Sequence, residues 1–143
     1  MTAIDDLYQV GTSTWLDDLS RERIATGNLG EVKQAKSIVG VTTNPAIFAA
    51  AMGSGTHYDE QLAELKQAGT TADAAVYAMS VKDVQDACDL FRDTFEATGG
   101  KDGRVVDAVT HHEGRLLHLG DAADLIFGQK IAGDGTDADV LPD

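Results

Sequence analysis

Asp17 and Asp18, which follow Trp15-Leu16, and Asn44, which closes the run Val41-Thr42-Thr43-Asn44, are the side chains whose types and setting could do chemistry. A carboxylate can take up and return a proton, and an amide nearby can orient a hydroxyl-bearing ligand. Each group stands at the C-terminal end of a β-prone run, Thr12 to Leu16 in one case and Ser37 to Thr42 in the other. In a β/α barrel those ends make up the working face, so the acid and the amide could converge on one ligand. The plainer alternative is that Asp17 and Asp18 are loop acids and that Asn44 is only a helix cap.

Other polar groups lack the spacing their chemistry needs. His112-Glu113 would hold a metal on one helix face only with a second histidine at position 116, which is Leu. His111 and His118 are two helical turns apart, about 10 Å, too far for one ion to bridge, and are expected to face solvent. Asp134, Asp137 and Asp139 do not follow the ordered spacing of a calcium loop. Gly53-x-Gly55 follows a helical stretch and lacks a third glycine, so it reads as a loop. No metal site is expected. Cys88 falls on the stripe Val84, Ala87, Phe91 and reads as a small core residue, because no histidine or basic residue adjoins it in sequence.

The elements that must position Asp17 and Asn44 follow from periodicity and turn chemistry. A short helix over Ile4 to Tyr8 precedes the first strand. Ser20 then caps a helical stretch whose apolar series Ile24, Leu29, Val32, Ala35 is broken at Gly27-Asn28. The β-branched run Ser37 to Thr42 is a strand of the kind that a parallel sheet buries on both faces. Asn44-Pro45 opens the next helix, with Asn as cap and Pro at the first position, and it runs to Met52. Thr56, with Asp59 three residues on, is expected to cap a helix over Tyr58 to Gln67. Ala74 to Met79 reads as a further short helix. Ser80, with Asp83 three residues on, then reads as the cap of a longer one through Val81, Val84, Cys88, Phe91 and Phe95, ending at Gly99-Gly100. Lys101-Asp102-Gly103 is a turn, and Arg104 to Val109 a third strand. Strand-to-helix alternation of this kind is an α/β signature.

Composition narrows the class. The chain has 143 residues, 43% of them hydrophobic, with a formal net charge of −13. It is long enough for one domain, and no apolar run approaches the length needed to cross a bilayer. The negative charge repels phosphate backbones and anionic lipids, so neither nucleic acid nor membrane is expected as a partner. Acidic residues at Asp5 and Asp6 replace the basic start of a signal peptide, and a cytoplasmic location is the default expectation.

The segments Trp15-Leu16-Asp17-Asp18-Leu19-Ser20-Arg21 and Val41-Thr42-Thr43-Asn44-Pro45-Ala46-Ile47-Phe48 resemble the first- and second-strand motifs of transaldolases, especially the longer actinobacterial type. The likeness runs from about Thr12 to Val105, through Tyr58-Asp59, Ala87-Cys88-Asp89-Leu90 and Asp102-Gly103-Arg104-Val105. It implies a partial (β/α)8 barrel, about the first three strands with their helices, which this chain alone cannot close. By the same resemblance Asp17 is the general acid/base, and Asn44 with Thr43 binds substrate. The implied activity is dihydroxyacetone transfer between sugar phosphates through a lysine Schiff base, without a cofactor. The implied substrates are fructose 6-phosphate, sedoheptulose 7-phosphate, erythrose 4-phosphate and glyceraldehyde 3-phosphate.

After Val105 the sequence departs from the family pattern. The glutamate motif expected on the third strand is replaced by Val106-Asp107-Ala108-Val109, and the strand bearing the Schiff-base lysine has no counterpart. Residues 1–105 are therefore read as the N-terminal part of the barrel, and residues 106–143 as a divergent, partly helical and mobile tail. Lys33, Lys36, Lys66, Lys82 and Lys101 fall on helices or a turn and are expected to be solvated. Gln129-Lys130-Ile131-Ala132 has only a faint likeness to the lysine strand. On this reading the chain is a truncated transaldolase with little or no activity of its own. The rival expectation is a non-catalytic acidic α/β fragment that pairs with another chain, or with itself, through its open sheet edges.

Overall fold

The computed structural model describes residues 3–107. A first helix, α1 (Ala3–Gln9), leads into β1 (Thr14–Asp17), α2 (Arg21–Ala25), α3 (Asn28–Ala35), β2 (Ile38–Thr43), α4 (Pro45–Met52), α5 (Asp59–Gln67), α6 (Ala72–Ala97) and β3 (Arg104–Asp107). The strands form one parallel sheet in the order β1-β2-β3. Consecutive parallel strands joined through helices are the repeating unit of a β/α barrel.

Alternation along the strands divides the sheet into two faces. Leu16, Val41 and Val105 are aligned by the register and meet the helices, where Val41 and Val105 are fully buried with Leu29, Phe48, Val84, Ala87, Cys88 and Phe91. The opposite face carries two rows, Trp15 with Gly40 and Arg104, and Asp17 with Thr42 and Val106. In a closed barrel this second face is the interior.

Several local expectations change. The first strand begins at Thr14 rather than Thr12, because the Thr12 amide still donates to Leu7 O at the end of α1 and Ser13 Oγ donates to Asp102 Oδ1 at 2.6 Å. Asp17 is consequently the last residue of the strand, not the first of the loop. Ser80 is no cap. α6 runs unbroken for 26 residues from the Thr71 cap, and Ser80 is fully buried with its hydroxyl donating to Val76 O one turn back. Thr56 does not cap α5 either; only its carbonyl takes part, accepting from the Asp59 amide, and Tyr58 stands at the N-cap without a side-chain cap bond. The broken helix at Gly27 and the Ser20 and Asn44 caps are as expected. The third strand is described only to Asp107. His111, His118, the Asp134, Asp137, Asp139 run, Lys130 and the tail beyond 107 lie outside the described residues.

Cys88 is buried in the α6 core, and burial pushes its thiol up from 9.0 to about 12. A rise of that size leaves about a thousandfold less thiolate at neutral pH. Labelling with a disulfide reagent is therefore expected to be at least about a thousandfold slower in the folded chain than in the urea-unfolded chain. Comparable rates in both states would contradict the packing.

Candidate functional site

Asp17 reaches the C-terminal edge of the sheet because β1 pairs in register with β2, placing Asp17 opposite Thr42. Thr42 Oγ1 donates to Asp17 Oδ1 at 2.7 Å, and the carboxyl group is otherwise exposed. One row below, the Trp15 indole lies flat over Gly40. A Cβ at position 40 would sit 2.7 Å from Trp15 Cδ2 and Cε2, so only glycine leaves room for the ring. The indole thereby covers the layer directly beneath the Asp17–Thr42 pair.

Asp18 points to a different partner. Its Oδ2 accepts from Arg23 Nε at 2.8 Å and pairs with Arg23 Nη2 at 2.6 Å, and Arg23 also donates to Asn28 Oδ1. The two adjacent acids thus differ in their partners: Asp18 ties the β1–α2 turn to α2 and α3, and Asp17 keeps one oxygen without a partner among the described residues. Both border a cleft of about 700 Å³ between α2 and α4, with Ser20, Asn28, Ser54 and His57 also on its walls.

Of the β2-end residues singled out in the sequence, Asn44 has its side-chain oxygen engaged in capping α4, accepting from the Ala46 and Ile47 amides at 2.9 and 3.1 Å. Thr43 lies on the strand face opposite to Asp17 and Thr42, is 4% exposed, and its hydroxyl has no hydrogen-bond partner among the described residues. Thr42 is the threonine that meets Asp17. Strand alternation carried the signal, because the face shared with Asp17 holds residues 40 and 42 but not 43.

A buried polar network supports this edge from behind. Asp83, fully buried on α6, accepts from Arg21 Nε at 2.8 Å and from the Tyr58 hydroxyl at 2.6 Å. The Tyr58 oxygen accepts in turn from the Arg21 amide at 3.0 Å, satisfying an otherwise orphaned donor in the first turn of α2. Arg21 also donates to Met79 O, and its guanidinium stacks 4.5 Å from the Tyr58 ring centroid. Burial pushes the Asp83 carboxyl above its ordinary range, while its hydrogen bonds from Tyr58 and Arg21 pull it back down. The Tyr58 hydroxyl is raised by the same burial and by its bond to Asp83. None of the three residues was singled out in sequence as part of a network.

None of the five lysines among the described residues lies on a strand. Lys36, Lys66, Lys82 and Lys101 are exposed, as expected. Lys33 is not solvated: its side chain is 15% exposed, Nζ donates to Leu90 O at 2.9 Å and to Asp93, and it sits over the Phe91 ring. The Lys33 side chain reaches from α3 across to α6, which explains the difference. It lies on the helical layer, away from the face that carries Asp17.

Comparison with known proteins agrees with this geometry. The transaldolase/fructose-6-phosphate aldolase family model matches residues 14–113. The chain is 54% identical over 116 residues to transaldolase 1 of Streptomyces coelicolor, covering 81% of this chain and 30% of the relative. It is 53% identical over 104 residues to the transaldolase of Kocuria rhizophila, covering 73% and 28%, and 52% identical over 112 residues to that of Mycolicibacterium smegmatis, covering 78% and 29%. The chain spans about 30% of the length of the curated relatives it matches. No helix among the described residues is long and apolar enough to cross a membrane. With the family match over most of its length and the parallel β1-β2-β3 sheet that a β/α barrel opens with, this chain belongs to the transaldolase/fructose-6-phosphate aldolase family.

Proposed function

We propose that this chain supplies the acid/base half of a transaldolase-type aldol site, with the Schiff-base lysine coming from strands other than β1, β2 and β3. The observation that carries this reading is Asp17 at the end of β1, held by Thr42, with no other partner for its carboxyl group and no lysine on its sheet face among the described residues. In the reaction a lysine amine condenses with the carbonyl of a ketose phosphate, losing water to form an iminium. Asp17 takes the proton of the adjacent hydroxyl as the carbon–carbon bond breaks and an aldose phosphate leaves. The remaining enamine attacks the aldehyde of the acceptor, and Asp17 returns its proton to the new hydroxyl. Water then releases the product ketose and regenerates the amine. On this reading Asn44, which caps α4, binds substrate through the part of its amide not used in capping. The substrates on this reading are fructose 6-phosphate and sedoheptulose 7-phosphate as donors, with erythrose 4-phosphate and glyceraldehyde 3-phosphate as acceptors.

The test is a chimera in which residues 12–105 of this chain replace the matching segment of the Streptomyces coelicolor relative. Turnover of fructose 6-phosphate with erythrose 4-phosphate is expected to stay within about tenfold of the parent, since on this reading the grafted segment brings Asp17 and Asn44 to the positions that the parent's own segment fills. A folded chimera without turnover would contradict the reading.

A further inference from the structure

We propose that Thr42 is the positioning residue for Asp17: its hydroxyl selects one carboxylate rotamer and leaves the other oxygen directed at the reacting hydroxyl. The inference rests on Asp17 being the acid/base group, but it concerns the geometry of that group and not the chemistry it performs. An exposed carboxylate at the end of a strand has several rotamers open to it, and a general base works only from the one within hydrogen-bond reach of its proton. Asp17 is exposed and has, among the described residues, one short side-chain bond, the 2.7 Å contact from Thr42 Oγ1 to Oδ1.

The donor is itself fixed. Thr42 is β-branched, which limits its χ1, and it stands on β2, which is paired on both sides, with Asp17 of β1 and with Val106 of β3. The row below keeps that register, because the Trp15 ring fits only against Gly40. No other side chain at the end of β2 can take the role. Thr43 lies on the opposite face, and the Asn44 oxygen is held by the Ala46 and Ile47 amides. Asp18 does not compete for Thr42, since Arg23 holds it.

The experiment uses the 143-residue chain as it is. Side-chain couplings of Asp17 measured by NMR give the ratio of its dominant χ1 rotamer to the others in the unmutated chain, Thr42→Val and Thr42→Ser. Thr42→Val is expected to lower that ratio about fivefold, the factor carried by one ordinary net hydrogen bond, while Thr42→Ser keeps it within about twofold. An unchanged ratio in a folded Thr42→Val chain would overturn the proposal. If Thr42→Val does not fold, the unmutated chain decides. The Asp17 carboxyl carbon should show a deuterium isotope shift through the Thr42 hydroxyl, and its absence would overturn the proposal. These readouts need no turnover. A chimera that fails to react although Asp17 is ordered by Thr42 would count against the proposed function and not against this role.

Discussion

Asp17→Ala in the chimera carrying residues 12–105 is expected to lower kcat by about 10² to 10⁴-fold, the usual contribution of a positioned acid/base group and equal to about 3–5 kcal/mol of barrier. Asp18→Ala in the same chimera is expected to stay within about tenfold of the unmutated value. The contrast follows from the partners of the two acids. Asp17 has one oxygen on Thr42 and one open, whereas Asp18 has its Oδ2 shared between two nitrogens of Arg23. Losing Asp18 removes a half-exposed ion pair worth about 1 kcal/mol or less, an effect confined to the β1–α2 turn if Asp17 is the acid/base group as proposed. Steady-state kinetics of the two variants check this, and a collapse of kcat in Asp18→Ala with normal turnover in Asp17→Ala would reverse the assignment.

The second large effect concerns stability. Asp83→Ala is expected to destabilise the chain by about 3–5 kcal/mol, because it leaves a nearly buried guanidinium and the Tyr58 hydroxyl without their acceptor. Asp83→Asn keeps the shape and one acceptor but cannot neutralise Arg21, so it should fall between the two. Urea unfolding of the three chains measures the order directly. A loss below about 1 kcal/mol for Asp83→Ala would mean that the network contributes no more than a surface ion pair does. The position also explains how the network reaches the site: Arg21 begins α2, four residues after Asp17, and its amide and side chain are tied to Tyr58 and Asp83 respectively.

The strand, turn and cap signals around the site were legible because they are local. Asn44-Pro45 marks a helix start by the side chain and ring of two adjacent residues, and the β-branched run before it marks a strand without reference to anything distant. The misreadings share a different cause. Ser80 and Asp83 have the spacing of a cap, yet both lie on the buried face of α6, and what keeps Asp83 there is Arg21, 62 residues earlier in the chain. Tyr58, which stands at the N-cap of α5 where Thr56 was expected to cap, belongs to the same network. Lys33 reads as a surface residue on α3, and only the approach of α6 gives its ammonium the Leu90 carbonyl and Asp93. Thr42 was not singled out in the sequence, because which of two adjacent threonines faces Asp17 is decided only by the pairing of β2 with β1.

Borohydride reduction in the presence of fructose 6-phosphate, followed by peptide mass analysis, tests most directly whether this chain holds the acid/base half of the site without the lysine half. An ordinary protonated lysine is a poor nucleophile, and none of the described lysines stands on the face that carries Asp17. No stoichiometric adduct is expected on Lys33, Lys36, Lys66, Lys82, Lys101 or Lys130 of the 143-residue chain, and in the active chimera an adduct is expected on a lysine of the recipient segment. A stoichiometric adduct on any lysine of this chain, Lys130 included, would contradict this reading.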